Sequence, residues 1–374
     1  MVEWKTIEEL GSFFGGLTGK TKNDFVDGNA NFITYMNVFS NPSLNTSKVG
    51  TVKINEGEKQ NKIQKGDILF TGSSETPEET GMSCVVTDDL KEDFYMNSFC
   101  FGLRLYSPEQ VNLHYLKHIL RSEPVRKSIA KTASGVTRYN ISKARFSKIK
   151  IPIPSLSEQQ RIVSILDTFT SSISNLKQQI EERRKQYEYE RDLLLDLEGK
   201  EGVEMKKLGE EFEVKRGIRV VKKQLKENAL YPVFQNSIAP MGYYDQFNRD
   251  GNMLYIICAG SSSGSIGYCY TPFWAADDCF TIEGGKGNNR YVYHVIRKNN
   301  NKLFKLVRKG SMPRLPHEAI DNMVIPLPPL STQSRIVSIL DTFEQSIANL
   351  EEQLAMREKQ YEYYREKLLR FEEA

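Results

Sequence analysis

The chain has 374 residues, 39% of them hydrophobic, which suffices for two or three ordinary globular cores. No run of 18 apolar residues occurs, and the N-terminus, MVEWKTIEELGSFFGG, lacks a basic region followed by an apolar one; this predicts a soluble, cytoplasmic protein with no membrane partner. Net charge is only +3, and five cysteines without a CxxC pair argue against a disulfide framework or zinc knuckle and for reduced core thiols.

The first segment opens with Trp4 and a helix-like stretch to Leu10-Gly11. Strand-like runs follow at Phe32 to Val38, Lys48 to Ile54, Asp67 to Thr71, Met82 to Thr87 and Phe99 to Leu105, separated by Gly, Asn and Pro signals. Between them lies a hydroxyl-rich loop, Thr71 to Pro77, in which Ser73, Ser74 and Thr76 are candidate DNA contacts; plain turn chemistry is the alternative. Gln110 to Arg121 turns helical. His114 and His118 stand one helical turn apart there, but no third ligand accompanies them, so no metal is expected.

Thr132 to Ser142, TASGVTRYNIS, predicts a loop offering Thr137, Arg138, Tyr139 and Asn140, with Lys143 just after it. Up to Leu103 there are 9 Lys/Arg against 15 Asp/Glu, whereas Arg104 to Lys150 has 11 against 2. Polar loops can reach base edges while flanking lysines hold phosphates.

Ile151 to Glu198 begins IPIPSLSEQQRIVSILDTF, and apolar residues step by four and three through Ile162, Leu166, Phe169, Ile173, Leu176 and Ile180, a heptad seam. Pro152 and Pro154 force extended backbone ahead of Ser157, which with Gln160 predicts a capping box, and Gly199 suits the helix end. Arg183 falls on the seam, where a charge costs stability and can set register.

After a polar linker to Glu204, Tyr231 to Asn236 reads as a strand entering a loop with Gln235 and Asn236, and Leu254 to Cys258 as a buried strand. The following Gly/Ser loop, with Ser261 and Ser262, lacks the Lys of a P-loop and the start of a dinucleotide fingerprint, so a hairpin loop is expected. Lys286 to Arg314 holds 9 basic and no acidic residues and ends in RKGSMPR, which adds Lys309, Ser311 and Arg314 to the candidates.

Ile325 to Glu372 then repeats the earlier rod without a gap, with 30 of 48 positions identical. Tyr115 to Arg121 also matches Tyr291 to Arg297 at an offset of 176, and Arg138 matches Arg314 at the same offset, so the globules are duplicated too. The expected organisation is a globule at 1–150, a helix at 151–199, a globule at 200–324 and a helix at 325–374. The fold class is α+β, with two α/β-type globules alternating with two long helices that pair as an antiparallel coiled coil about a pseudo-twofold. Identities beyond the seam, including Asp167 with Asp341 and Lys185 with Lys359, predict docking surfaces for two equivalent partners.

The repeated I-P-x-P-x-L-x-x-Q segment, Ile151 to Gln159 and Ile325 to Gln333, resembles the conserved regions of specificity (S) subunits of type I restriction-modification systems. The resemblance implies a non-catalytic reader of a bipartite, asymmetric site in double-stranded DNA that assembles with two modification subunits and with restriction subunits. It places S-adenosylmethionine, ATP and Mg in those partners and no cofactor or metal here. The rival reading is a coiled-coil scaffold without sequence-specific DNA reading.

Overall fold

The computed structural model describes residues 2–372 and divides into two units, residues 1–175 with 354–374, and residues 176–353. In the first, strands Gly11–Gly15, Cys100–Leu105, Ile68–Thr71 and Ser83–Val85 form an antiparallel sheet in that order. Alternation splits its side chains between two cores. Ile68, Phe70, Phe101 and Leu103 face the helices Leu113–Ile119 and Glu123–Ala130 and the ring of Phe146, while Leu69, Cys84 and Cys100 join Ile33, Val38 and Met96 on the other side.

A second sheet holds Gly50–Val52, Ala30–Ile33 and Phe94–Met96, the last two parallel. The expected strand Phe32 to Val38 is therefore cut short. Thr34 accepts a hydrogen bond from the Asn37 amide and caps a helix, Tyr35–Ser40, so local capping prevails over the β-branched run.

The second unit repeats this plan strand for strand. Its four-stranded sheet runs Glu213–Arg216, Cys279–Glu283, Met253–Ile257, Ile266–Cys269. Its three-stranded sheet runs Gly242–Tyr244, Tyr231–Phe234, Trp274–Ala275, again with one parallel pair. All five cysteines are buried and free.

The long helices span Leu156–Leu194 and Leu330–Leu369. They pair antiparallel. Within the first unit Phe169 stacks on Tyr364 at 5.2 Å, and within the second Arg184 meets Glu351 at 2.5 Å while the Tyr187 hydroxyl donates to Glu344. The seam arginines sit over aromatic faces, Arg357 on Phe169 and Arg183 on Phe343, the same contact made twice. The apolar stripe serves two purposes, because Ile162, Val163 and Leu166 enter the core of the first globule and Ile336 and Leu340 that of the second.

Both ends of the first helix differ from the capping signals. Ser155 rather than Ser157 receives the Glu158 amide, at 3.4 Å. Helical structure stops at Leu194, before Gly199, because Leu195 and Leu197 both turn into the second unit's core and could not do so on one helical face. The second helix opens on the Pro329 carbonyl, which accepts from the Thr332 and Gln333 amides.

Candidate nucleic-acid interface

Each globule is fastened to its rod by the same joint. The Tyr115 hydroxyl donates to the Pro152 carbonyl (2.8 Å), the Asn112 amide to Gln159 Oε1 (2.8 Å), Gln159 Nε2 to the Pro154 carbonyl (2.8 Å), and His118 Nε2 lies 2.8 Å from Asp167. The second unit reproduces all four: Tyr291 to Pro326, Asn288 to Gln333, Gln333 to Pro328, and His294 to Asp341 at 2.9 Å. Gln159 is fully buried, so the last residue of the repeated motif is a strut.

Asp167 and Asp341 each meet a histidine and a cation in their own unit, Lys117 at 2.8 Å from Asp167 and Arg290 at 2.8 Å from Asp341, which gives their identity a structural reason beside the expected docking role. Lys185 bonds Glu181 on an exposed helical face, and Lys359 is exposed. His294, Asp341 and Glu344 approach closely enough to hold a metal, but Arg290 and Arg297 already occupy both carboxylates.

The joint predicts an acid response. Burial opposes charge on Asp167, yet the hydrogen bonds from His118 and Lys117 prevail and hold it down to about 2; Asp341 is lowered in the same way by His294 and Arg290. Burial pushes both imidazoles below their ordinary 6.5. All four groups therefore bind protons more readily when unfolded, so stability falls as pH drops through about 6.5 and again below about 4. Replacing His118 and His294 by Gln should flatten the first decline in melting temperature. An unchanged slope between about pH 8 and 5 would mean that folding leaves the histidines' proton affinity as it is in the unfolded chain.

Most of the positive charge ahead of the first Pro pair turns out to be internally engaged. Arg104 pairs with Asp67, Lys117 with Asp167, Lys127 with Glu123 and Lys148 with Glu8. Arg121 and Arg126 turn inward, Arg121 onto the carbonyls of Ser83, Val38, Phe39 and Asn41 and Arg126 onto those of Gly81, Glu78 and Thr80. Lys131, Arg138, Lys143 and Arg145 remain exposed.

The expected loop at Thr132 to Ser142 is a hairpin. Ala133–Ser134 pairs with Tyr139–Ile141, which in turn pairs with Ser73–Ser74, setting Tyr139 opposite Ser74 and Asn140 opposite Ser73. Gly135 makes the turn possible, because its φ is +149° and a Cβ there would lie 2.0 Å from the Arg138 carbonyl oxygen. Two segments 65 residues apart in sequence thus become one ribbon.

Ser73 and Ser74, offered as direct contacts, are buried. Ser73 Oγ accepts from Arg138 Nε at 3.1 Å and Ser74 Oγ donates to Glu79 at 3.2 Å, so both position other side chains. Thr76, Thr137, Arg138, Asn140 and Lys143 are exposed and Tyr139 is half-buried. Sequence reasoning missed Phe99, 58% exposed beneath the Arg138 guanidinium, and Val136, 92% exposed at the hairpin tip. An apolar residue inside a polar turn was the available signal for Val136.

In the second unit Arg308 and Arg314 exchange backbone hydrogen bonds of 2.8 and 3.1 Å across a tight turn, and Arg314 bridges to Ala259. The Gly260 amide donates to the Pro313 carbonyl (3.0 Å), which joins the Gly/Ser loop to RKGSMPR, and Asn236 lies against Gly260. Ser261, Asn236, Lys309, Ser311 and Arg314 are exposed, Ser262 is half-buried, and Gln235 Nε2 reaches Asp278 at 3.4 Å.

The register overturns one equivalence. Arg314 stands opposite Arg308 and beside Ala259, as Asn140 stands opposite Ser134 and beside Ser73, so Asn140 and not Arg138 is its structural counterpart. The two-residue difference between copies falls before the hairpin, between Arg121 and Ser134 in the first copy.

A family model described as the type I restriction modification DNA specificity domain matches residues 1–183 and 200–356. The chain is 30% identical over 301 residues to a provisionally named type I restriction enzyme specificity subunit of Haemophilus influenzae, covering 70% of this chain and 73% of that one. It is 28% identical over 263 residues to the EcoR124I/EcoR124II specificity subunit of Escherichia coli, covering 61% and 65%. The crystal structure of the S subunit of a type I system from M. genitalium shares the fold, with a TM-score of 0.69 at 19% identity over 100% of this chain and 97% of that one.

Proposed function

The chain belongs to the type I restriction modification DNA specificity family, and from that premise we propose that it is the non-catalytic DNA reader of such a system, each globule reading one half of a bipartite, asymmetric site in double-stranded DNA. One observation carries this reading: both globules set the same hairpin against the same neighbouring loop, yet arm it with different side chains. A common frame with divergent tips suits two half-sites of different sequence. Exposed Lys131, Lys143, Lys302, Lys305 and Lys309 supply salt-sensitive phosphate attraction, and the tips supply sequence choice.

In this reading two modification subunits and, for cleavage, restriction subunits assemble on the chain in the cytoplasm, and the exposed rod faces carrying Lys185 and Lys359 offer them equivalent surfaces. Methyl transfer from S-adenosylmethionine and the ATP- and Mg-dependent steps belong to those subunits. The E. coli relative's name, as subunit of a type I restriction enzyme, supports the assignment.

Exchanging residues 200–324 for the corresponding globule of a relative should alter one half-site in sites selected from random duplex by the complex with its modification partner. Loss of both half-sites, or of neither, contradicts the modular reading.

A further inference from the structure

Beside the first hairpin lies an open hollow of about 410 Å³ lined by Tyr35, Met36, Phe39, Ser74, Glu75, Glu79, Thr137 and Arg138. Its make-up is unlike a phosphate cradle. One guanidinium faces it together with two carboxylates, and the rings of Tyr35 and Phe39 stack at 6.0 Å in its wall. A phosphate arriving at Arg138 would share the hollow with the Glu75 and Glu79 carboxylates, and like charges repel.

Arg138 is held through its Nε–H, which donates to buried Ser73 Oγ, and its guanidinium lies 5.5 Å above the Phe99 ring, which sets the plane of an exposed side chain that lines the hollow. A planar pair of donors at a set angle matches the O6 and N7 acceptors of guanine. Glu79 is held in turn by Ser74 Oγ, and Glu75 is exposed beside it. A carboxylate in the same hollow as the arginine fork matches the N4 amino donor of the cytosine paired with that guanine.

We propose, building on the DNA-reading function above, that this hollow reads a G·C pair through the major groove, with Arg138 on guanine and Glu79 or Glu75 on the paired cytosine. The first half-site therefore contains an obligatory G·C pair. Ser73, Ser74 and Phe99 are positioning residues, since they act through Arg138 and Glu79. In the second globule the same register sets Met312 in place of Arg138 and Ala259 in place of Ser73, so those positions impose no equivalent requirement on its half-site.

The test is selection from random duplex by the assembled complex with its modification partner, comparing wild type, Arg138→Lys and Glu79→Gln. The first half-site is identified as the one that persists when residues 200–324 are exchanged. Wild type should fix one G·C pair in it. Arg138→Lys, which keeps the charge but loses the fork, should reduce preference at that position alone, on the order of ten- to a hundredfold, and Glu79→Gln should relax the same pair. A first half-site without a fixed G·C pair, or with one that Arg138→Lys leaves untouched, overturns the inference while the DNA-reading function stands. A uniform loss of affinity for all sequences, with the salt slope lower by about one in Arg138→Ala, makes Arg138 a phosphate contact and also overturns it. No enriched sequence for wild type refutes the function itself, and the inference falls with it.

Discussion

Phe146→Ala is expected to destabilise the first unit by about 3–5 kcal/mol, the usual cost of emptying an aromatic site in a packed core. Phe146 is fully buried, and its ring meets Phe70 at 5.0 Å, Phe101 at 5.4 Å and Phe13 at 6.0 Å, the first two edge to face. Four rings from three strands and one helical turn interlock there, and rigid rings refill a cavity poorly. The two tryptophans, Trp4 in the first unit and Trp274 in the second, allow each transition to be followed separately by urea unfolding of single-tryptophan variants. The Trp4 transition should move to lower denaturant with its slope kept; a change below about 1 kcal/mol would mean that the cluster repacks.

Arg121→Met should cost the same unit about 3 kcal/mol or more. The Arg121 guanidinium gathers the carbonyls of Val38, Phe39, Asn41 and Ser83 at 2.6 to 3.0 Å, with no carboxylate among its hydrogen-bond partners, and burial pushes it down to about 10, still charged at neutral pH. Methionine fills a similar volume but leaves these oxygens without a donor, at about 1–3 kcal/mol for each one that stays dry. Arg121→Lys should recover only part, because one ammonium cannot span all four. Since Phe39 lines the hollow beside Arg138, Arg121→Met should also loosen DNA discrimination before the unit unfolds. Stability within about 1 kcal/mol of wild type would show that water replaces the arginine.

The rods were legible because a heptad seam and a near-verbatim repeat are local signals. Within the globules the individual strands were mostly legible, but their partners were not. Gly11–Gly15 pairs with Cys100–Leu105 across some ninety residues, and the pattern of one strand does not name the other. The candidate contacts were found as two separate polar loops, and only the strand register shows that they form one ribbon with Ser73 and Ser74 turned inward. Two contacts were hidden for one reason: the histidine that holds Asp167 lies 49 positions away, and nothing local reveals that Arg121 and Arg126 fold back onto carbonyls.

Because the reading ribbon is a paired strand and not a free loop, changes in its length obey a parity rule. One residue inserted within Tyr139–Ile141 would carry Asn140 to the inner face and Tyr139 to the outer, since strand side chains alternate. Insertions and deletions that preserve the fold are thereby confined to the tip, 135–137 in the first hairpin and 309–313 in the second. Lineages of this protein should drift in target preference through substitutions along the strands and through length changes only at the tips, and a frame-preserving insertion library across 130–142 would display that boundary as a step in viability.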